Sequence, residues 1–152
     1  MRTTEIVVVD APASAVFPFV ADLDRYPTWM PLVHAASPAG DGAEPAWDVE
    51  IRARVGPFAR SKRLRMQRTE SVGDRLAVFE RAEIDGRDHA AWTLRVELEP
   101  VRGDPETTNV TMHLAYDGSL WTGGVLARVL DDQIRRGRDG LAAAVADASE
   151  RS

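Results

Sequence analysis

Two charged residues of this chain occupy positions that the surrounding alternation assigns to an apolar face. Arg68 shares the phase of Leu64 and Met66. Glu80 shares the phase of Val78, and a Gly-Asp turn between the two segments would bring Arg68 and Glu80 nearly opposite each other across a hairpin. An inward guanidinium can stabilise an oxygen that gains negative charge, whereas the same pair can also be a structural ion pair that holds the hairpin.

Other reactive groups are absent from the chain or lack a useful spacing. The 152 residues include no cysteine, which excludes disulfides, thiolate metal sites and cysteine nucleophiles. The three histidines have no mutual metal-ligand spacing, and the sequence contains no nucleophile elbow, phosphate loop or dinucleotide fingerprint. We therefore expect neither a metal nor another cofactor.

Composition sets further limits on the class of protein. The net charge of −5 argues against a surface that binds nucleic acid. The N-terminal segment lacks the apolar run of a signal peptide, and no window reaches the ~18 apolar residues of a membrane span. These features predict a single domain over residues 1–152, a cytoplasmic location and no stable membrane insertion, and they leave a homodimer open.

Most of the chain alternates between apolar and polar residues in the way that half-buried strands do. A β-branched run at 5–10 predicts the first strand, and two short helical segments follow it, the first interrupted by Pro18. Connections between the later strands are short, so neighbouring strands should pair antiparallel. The alternating segments that predict these later strands are 47–55, 64–66, 76–84, 92–98 and 110–116.

The last long segment, about 119–149, repeats apolar residues at three- and four-residue intervals. This spacing predicts an amphipathic helix about 45 Å long, which is enough to cross a small domain. The element order predicts an α+β fold in which a curved antiparallel sheet of six to seven strands wraps around this helix. Paired glycines at 123–124 have low helix propensity, and we expect the mouth of a cavity there.

Three short motifs carry a resemblance to a known superfamily. Val-Asp-Ala-Pro covers 9–12, Asp-Leu-Asp-Arg-Tyr-Pro-Thr-Trp-Met-Pro covers 22–31, and Arg-Thr-Glu covers 68–70. In this order they resemble the START-like helix-grip (SRPBCC) superfamily, and most of all its polyketide cyclase/dehydrase branch. The resemblance extends over essentially the whole chain. It implies a pocket between the sheet and the C-terminal helix for a hydrophobic or aromatic molecule that is lipid-, quinone- or polyketide-like.

The resemblance also implies roles for individual residues. Arg68 sits where the aromatase/cyclases of the superfamily carry a pocket arginine, and Trp92 matches an aromatic wall residue. Val33 stands where a proton-donating tyrosine is expected, and Tyr116 replaces it only if its side chain points inward. The catalytic candidates are Arg68, Glu80 and Tyr116. The expected ligand-binding residues are aromatic, thioether and aliphatic: Trp29, Met30, Val33, Trp47, Ile51, Met66, Val78, Trp92, Leu94, Met112, Leu114, Trp121 and Leu126.

Two functions fit such a pocket. The first is a binding module or carrier that holds a hydrophobic small molecule without covalent chemistry. The second is a polyketide aromatase/cyclase that performs aldol cyclisation and dehydration, with Arg68 stabilising the developing oxyanion. We favour binding, because the sequence contains no evident acid/base pair.

Overall fold

A computed structural model of the chain describes residues 2–40, 44–55, 57–117 and 124–151, without most side chains at the tip of the third and fourth strands and in the first part of the last helix. Two α-helices, one 3₁₀ helix and seven strands make up this part of the chain. In chain order they are β1 Arg2–Val9, α1 Ala13–Ala21, the 3₁₀ helix Leu23–Thr28, β2 Val33–Pro38, β3 Ala46–Val55, β4 Phe58–Val72, β5 Leu76–Arg81, β6 Trp92–Val101, β7 Asp104–Tyr116 and α2 Gly124–Arg151.

The seven strands form one antiparallel sheet in the order β1-β7-β6-β5-β4-β3-β2. The sheet curls into a half barrel, and α2 is the long C-terminal helix that the curved sheet encloses. From β2 to β7, each strand pairs with the next one along the chain. β1 pairs with β7 and forms one edge of the sheet. The predicted helix-grip fold class is therefore confirmed.

The edge strand β2 was not predicted. Its sequence, Val-His-Ala-Ala-Ser-Pro, has only one β-branched residue, and most of its side chains are at least partly exposed. It pairs with β3 alone, with a register irregularity directly after Val33, and ends at Pro38. Proline is tolerated there because one side of an edge strand forms no ladder. Pairing with a strong neighbour creates this strand, so its own sequence signal is weak.

The orientation that we expected for β5 is wrong by one residue. The register places Phe79 opposite Arg68 and places Glu80 opposite Gln67. Glu80 is exposed and shares the outer face of the sheet with Val78, so neither side chain faces the interior. The run from 76 to 79 is apolar in both phases, and burial of the larger Phe79 ring decides the phase.

The inner face of the sheet carries the core of the protein. Ile6 and Val8 lie in the other phase of β1 and are exposed on the outer face. The buried inner side chains come from all seven strands: Val7, Val9, Val33, Trp47, Val49, Ile51, Leu64, Met66, Ala77, Phe79, Trp92, Leu94, Val96, Leu98, Val110, Met112, Leu114 and Tyr116.

Two glycines allow the C-terminal half of α2 to pack closely against residues 29–30, which follow the 3₁₀ helix. A Cβ at Gly140 would overlap the carbonyl of Trp29, and one at Gly137 would lie 3.2 Å from Cγ of Met30. Leu141 and Val145 on the same helix are buried in the core, as their helical spacing predicts. Small residues thus allow the helix backbone to approach the turn closely.

Charged residues occupy the exposed side of the same helix. Asp132 and Arg136 form the predicted ion pair four residues apart, at 3.2 Å. No helix in the described part of the chain has both the length and the apolar character that crossing a membrane requires.

Replacement of Gly140 by alanine tests the close approach. Alanine adds about 1 kcal/mol of helix propensity, but overlap with the Trp29 carbonyl should outweigh it and lower the free energy of unfolding by about 1–3 kcal/mol. Urea denaturation followed by circular dichroism measures the change. Gly73→Ala is the control, because a Cβ there meets nothing within 4 Å. Equal stability of the two variants would contradict this packing.

Candidate functional site

Arg68 faces the interior, but its partner is the end of α1 instead of Glu80. Its Nη1 donates to the carbonyl oxygen of Ala21 at 2.6 Å and to Oδ1 of Asp22 at 2.9 Å. Its guanidinium carbon lies 5.9 Å from the centre of the Trp47 ring. A cation at the C-terminus of a helix satisfies a free carbonyl and interacts favourably with the helix dipole. This geometry supports a structural role for Arg68.

Three buried tryptophans differ in whether their indole N–H has a hydrogen-bond acceptor. Trp29 donates to the carbonyl oxygen of Phe19 at 3.0 Å, and Trp47 donates to Oδ1 of Asp24 at 2.8 Å. The N–H of Trp92 is fully buried and has no hydrogen-bond partner in the described part of the chain. Buried donors are nearly always paired, so the Trp92 N–H is the exceptional polar atom of this interior.

Trp92 forms one flat wall with Tyr116. The two residues are paired in register at the ends of β6 and β7, and their rings stack at 4.7 Å between centroids with 24° between planes. The inward orientation that a catalytic role of Tyr116 would require is therefore present. Burial raises the pKa of the Tyr116 phenol above its ordinary value, so the hydroxyl is neutral near pH 7.

The remaining predicted ligand-binding residues fall into three groups. Trp29 and Met30 pack in the interface between the 3₁₀ segment and α2. Trp121 and the side chain of Leu126 lie outside the described residues, as does the expected mouth beside them. The others, apart from outward-facing Val78, lie in the apolar cluster of the inner face: Val33, Trp47, Ile51, Met66, Leu94, Met112 and Leu114.

The two α-helices cover different parts of this inner face. The Thr108 hydroxyl donates to the carbonyl of Ala11 at 2.8 Å, and Arg68 holds the other end of α1, so α1 lies across β7, β6 and β5. Trp92 and Tyr116 lie at the opposite ends of β6 and β7. Of the two described α-helices, this leaves α2 to cover the face there.

Close backbone approaches of α2 to the sheet occur at β1 and β3, near the two edges of the sheet. Within the described residues, the backbone of α2 makes few or no such approaches to the four strands between them. At the β1 edge, the carboxylate of Glu5 lies 3.9 Å from Arg135 and 4.0 Å from Arg138. The described backbone contacts of α2 with the sheet are therefore concentrated near its two edges.

Sequence reasoning missed a charged network next to Trp92. Arg81 is in register with Met66, on the inner phase, and only 7% of its side chain is exposed. Its Nε donates to Glu83 at 2.9 Å, its Nη1 to the carbonyl of Ala90 at 3.3 Å, and its Nη2 lies 3.2 Å from Nδ1 of His89. With Phe79 assigned to the inner face, Arg81 falls in the same phase two residues later, and this would have indicated an inward charge.

Three side chains of this network could in principle bind a cation. One ligand atom from each of Glu83, Asp85 and His89 lies within 4.8 Å of the others. Arg81 already donates to Glu83 and contacts His89, however, and it places a positive charge beside these atoms. The cluster is therefore best described as an ion-pair network.

Two open grooves lie away from the wall of Trp92 and Tyr116. One of about 500 Å³ separates the region of Phe19 and Arg25 from the alanine-rich end of α2. The other, about 440 Å³, runs along β2, β3 and β4 and mixes acidic side chains with Arg63 and Arg65. Neither groove lies on the inner face beside Trp92. The pocket between the sheet and α2 therefore stays a prediction that these grooves do not test.

A family model described as polyketide cyclase / dehydrase and lipid transport matches residues 1–146 of the chain. No curated protein matches the chain in sequence. The match extends over nearly all of the described elements, from β1 to most of α2.

Solved structures share the fold at low sequence identity. A START superfamily protein from Mycobacterium smegmatis is 14% identical with a TM-score of 0.71, covering 97% of this chain and 98% of that one. The Zhui aromatase/cyclase from Streptomyces sp. R1128 is 14% identical, with a TM-score of 0.70 and coverages of 95% and 93%. A protein from Thermus thermophilus is 17% identical, with a TM-score of 0.75 and coverages of 98% and 99%. Such likeness shows a common fold and leaves function to the site.

The ion-pair network predicts a pH-dependent contribution to stability. Burial alone would raise the pKa of Glu83, but hydrogen bonds from the Arg65 backbone N–H and the Arg81 guanidinium outweigh it, so the pKa lies below its ordinary value of 4.5. A carboxyl group whose pKa is lower in the folded than in the unfolded protein stabilises the fold at pH values above its unfolded-state pKa. This stabilisation is lost as the pH falls through the folded-state pKa.

Glu83→Gln should therefore lower the free energy of unfolding by about 1–2 kcal/mol at pH 7. Urea titrations at several pH values should show the difference from the parent protein shrinking below about pH 4.5. Glu80→Gln is the control, because Glu80 is exposed on the outer face. A loss that stays constant from pH 7 to pH 3 would contradict the assignment.

Proposed function

Because the chain belongs to the polyketide cyclase/dehydrase and lipid-transport family, we propose that it binds a hydrophobic or aromatic small molecule between its sheet and α2, without covalent chemistry. The observation that carries this proposal is the apolar inner face around the stacked Trp92 and Tyr116 rings, which contains a buried indole N–H without a partner in the described residues. We place the ligand between this wall and α2.

The chemistry of the inner face supports an apolar ligand. Leu94 and Leu114 stand beside the Trp92–Tyr116 wall, one inward-facing residue pair further along β6 and β7. A ligand that buries about 250 Å² of apolar surface there would gain roughly 6 kcal/mol before the costs of association. That gain alone corresponds to affinity between millimolar and micromolar. Tighter or more selective binding would need a polar contact.

The catalytic alternative depends on Arg68 as an oxyanion stabiliser. Its Nη1 is already shared between the carbonyl of Ala21 and the carboxylate of Asp22. This nitrogen of the guanidinium is therefore occupied in closing the end of α1. Carriage of the ligand, without ring closure, therefore accounts better for the contacts of Arg68.

Filling the proposed space should weaken binding with little change in stability. Leu114→Trp adds bulk next to the Trp92–Tyr116 wall. If space exists there, the unfolding free energy should change by less than about 1 kcal/mol, and binding of the fluorescent probe 1-aminoanthracene should weaken at least tenfold. Fluorescence titration and urea denaturation measure the two quantities.

Val8→Trp adds bulk on the outer face, where Val8 is 60% exposed, and should leave probe binding unchanged. A packed interior would give the opposite result. Leu114→Trp would then cost about 1–3 kcal/mol through overpacking, and the parent protein would not bind the probe.

Arg68→Ala separates the structural role from the catalytic one. Loss of the contacts to Ala21 and Asp22 should lower the unfolding free energy by about 1–3 kcal/mol and leave the affinity for 1-aminoanthracene within about twofold. The parent protein should not cyclise a poly-β-ketone model substrate. Cyclisation by the parent that Arg68→Ala abolishes, while the variant remains folded, would establish the aromatase/cyclase alternative.

A further inference from the structure

We infer that the indole N–H of Trp92 is the polar recognition point of the pocket and selects ligands that place a hydrogen-bond acceptor oxygen beside the Trp92–Tyr116 wall. This inference rests on the proposed function, because it assigns a specificity-determining residue to the same cavity. The ligand class is an apolar, ring-containing molecule with a carbonyl, ether or hydroxyl oxygen.

The unpaired state of this donor is the first argument. Trp92 is 3% exposed, and its Nε1 is buried without a partner among the described residues. A buried donor that lacks an acceptor loses its hydration and gains nothing in return. Native interiors rarely keep such a group, and a ligand oxygen would satisfy it.

Comparison with the other tryptophans is the second argument. Trp29 is equally buried, at 3%, yet its N–H is accepted by the carbonyl of Phe19. Trp47 is also 3% exposed and reaches the carboxylate of Asp24. The fold thus provides acceptors for two buried indoles. The unpaired one lies on the inner face, at the end of β6 that pairs with Tyr116.

The surroundings of Trp92 are the third argument. The Tyr116 ring stacks on the indole, which gives a flat, mostly apolar surface with the indole N–H beside it. Arg81, a cation on the inner phase of β5, is engaged by Glu83, Ala90 and His89. A flat surface beside a hydrogen-bond donor suits a ring that carries an oxygen substituent.

A matched ligand pair tests the donor. The ketone 2-acetylnaphthalene and the hydrocarbon 2-isopropylnaphthalene have nearly the same shape, and only the ketone has an acceptor. Each is measured by displacement of 1-aminoanthracene from the parent protein and from Trp92→Phe, which keeps an aromatic ring and removes the N–H. We expect the ratio of ketone to hydrocarbon affinity to fall about 3- to 10-fold in Trp92→Phe.

The outcomes separate this inference from the proposed function. A ratio that is the same in both proteins overturns the role of Trp92 but leaves ligand binding intact, and it would assign the donor to another group such as Arg81. Failure of the parent protein to bind any of the three aromatic compounds overturns both the inference and the proposed function.

Stability of the ligand-free protein gives a second readout. Trp92→Phe and Trp29→Phe remove the same ring area from equally buried sites, but only Trp29→Phe leaves the Phe19 carbonyl without its donor. The melting temperature should therefore fall less for Trp92→Phe than for Trp29→Phe. An equal or larger fall for Trp92→Phe would show that its N–H has an acceptor within the protein, and the inference would be wrong.

Discussion

The close contact between Gly140 and the Trp29 carbonyl determines where α2 lies relative to the sheet. A side chain at Gly140 would displace either the helix or the turn, because neither backbone can yield cheaply. Leu141 and Val145 on the same half of the helix are buried in the core. The position of the helix over the sheet then follows from this anchor and from the contacts at β1 and β3.

The polar groups of the interior have partners that depend on the same arrangement. Arg68 holds the end of α1, and Arg81 joins β5 to the loop that precedes β6. Both guanidinium groups therefore serve mainly to fix elements around the inner face. Trp92 differs from them, because its N–H has no partner in the described residues. A neutral indole N–H on an apolar wall suits recognition better than acid/base catalysis.

Strong periodicity made much of the fold predictable. The strand containing Trp92 and the helix containing Leu141 follow their patterns closely, because each buries one face. The prediction failed where the sequence pattern was ambiguous. The orientation of β5 was wrong because this strand is apolar in both phases, and β2 was missed because it depends on its pairing with β3. For the site, the sequence indicated an inward Arg68 and the aromatic wall. It could not indicate that Asp22 would replace Glu80 as partner of Arg68, because that contact joins residues 46 positions apart.

The most direct test of ligand binding between sheet and helix is the pattern of intermolecular nuclear Overhauser effects in methyl-labelled protein with bound 1-aminoanthracene. The account predicts contacts from the probe to the methyl groups of Leu94, Leu114 and Met112, all on the inner face. Contacts confined to Ile6 and Val8, on the outer face of β1, would contradict it.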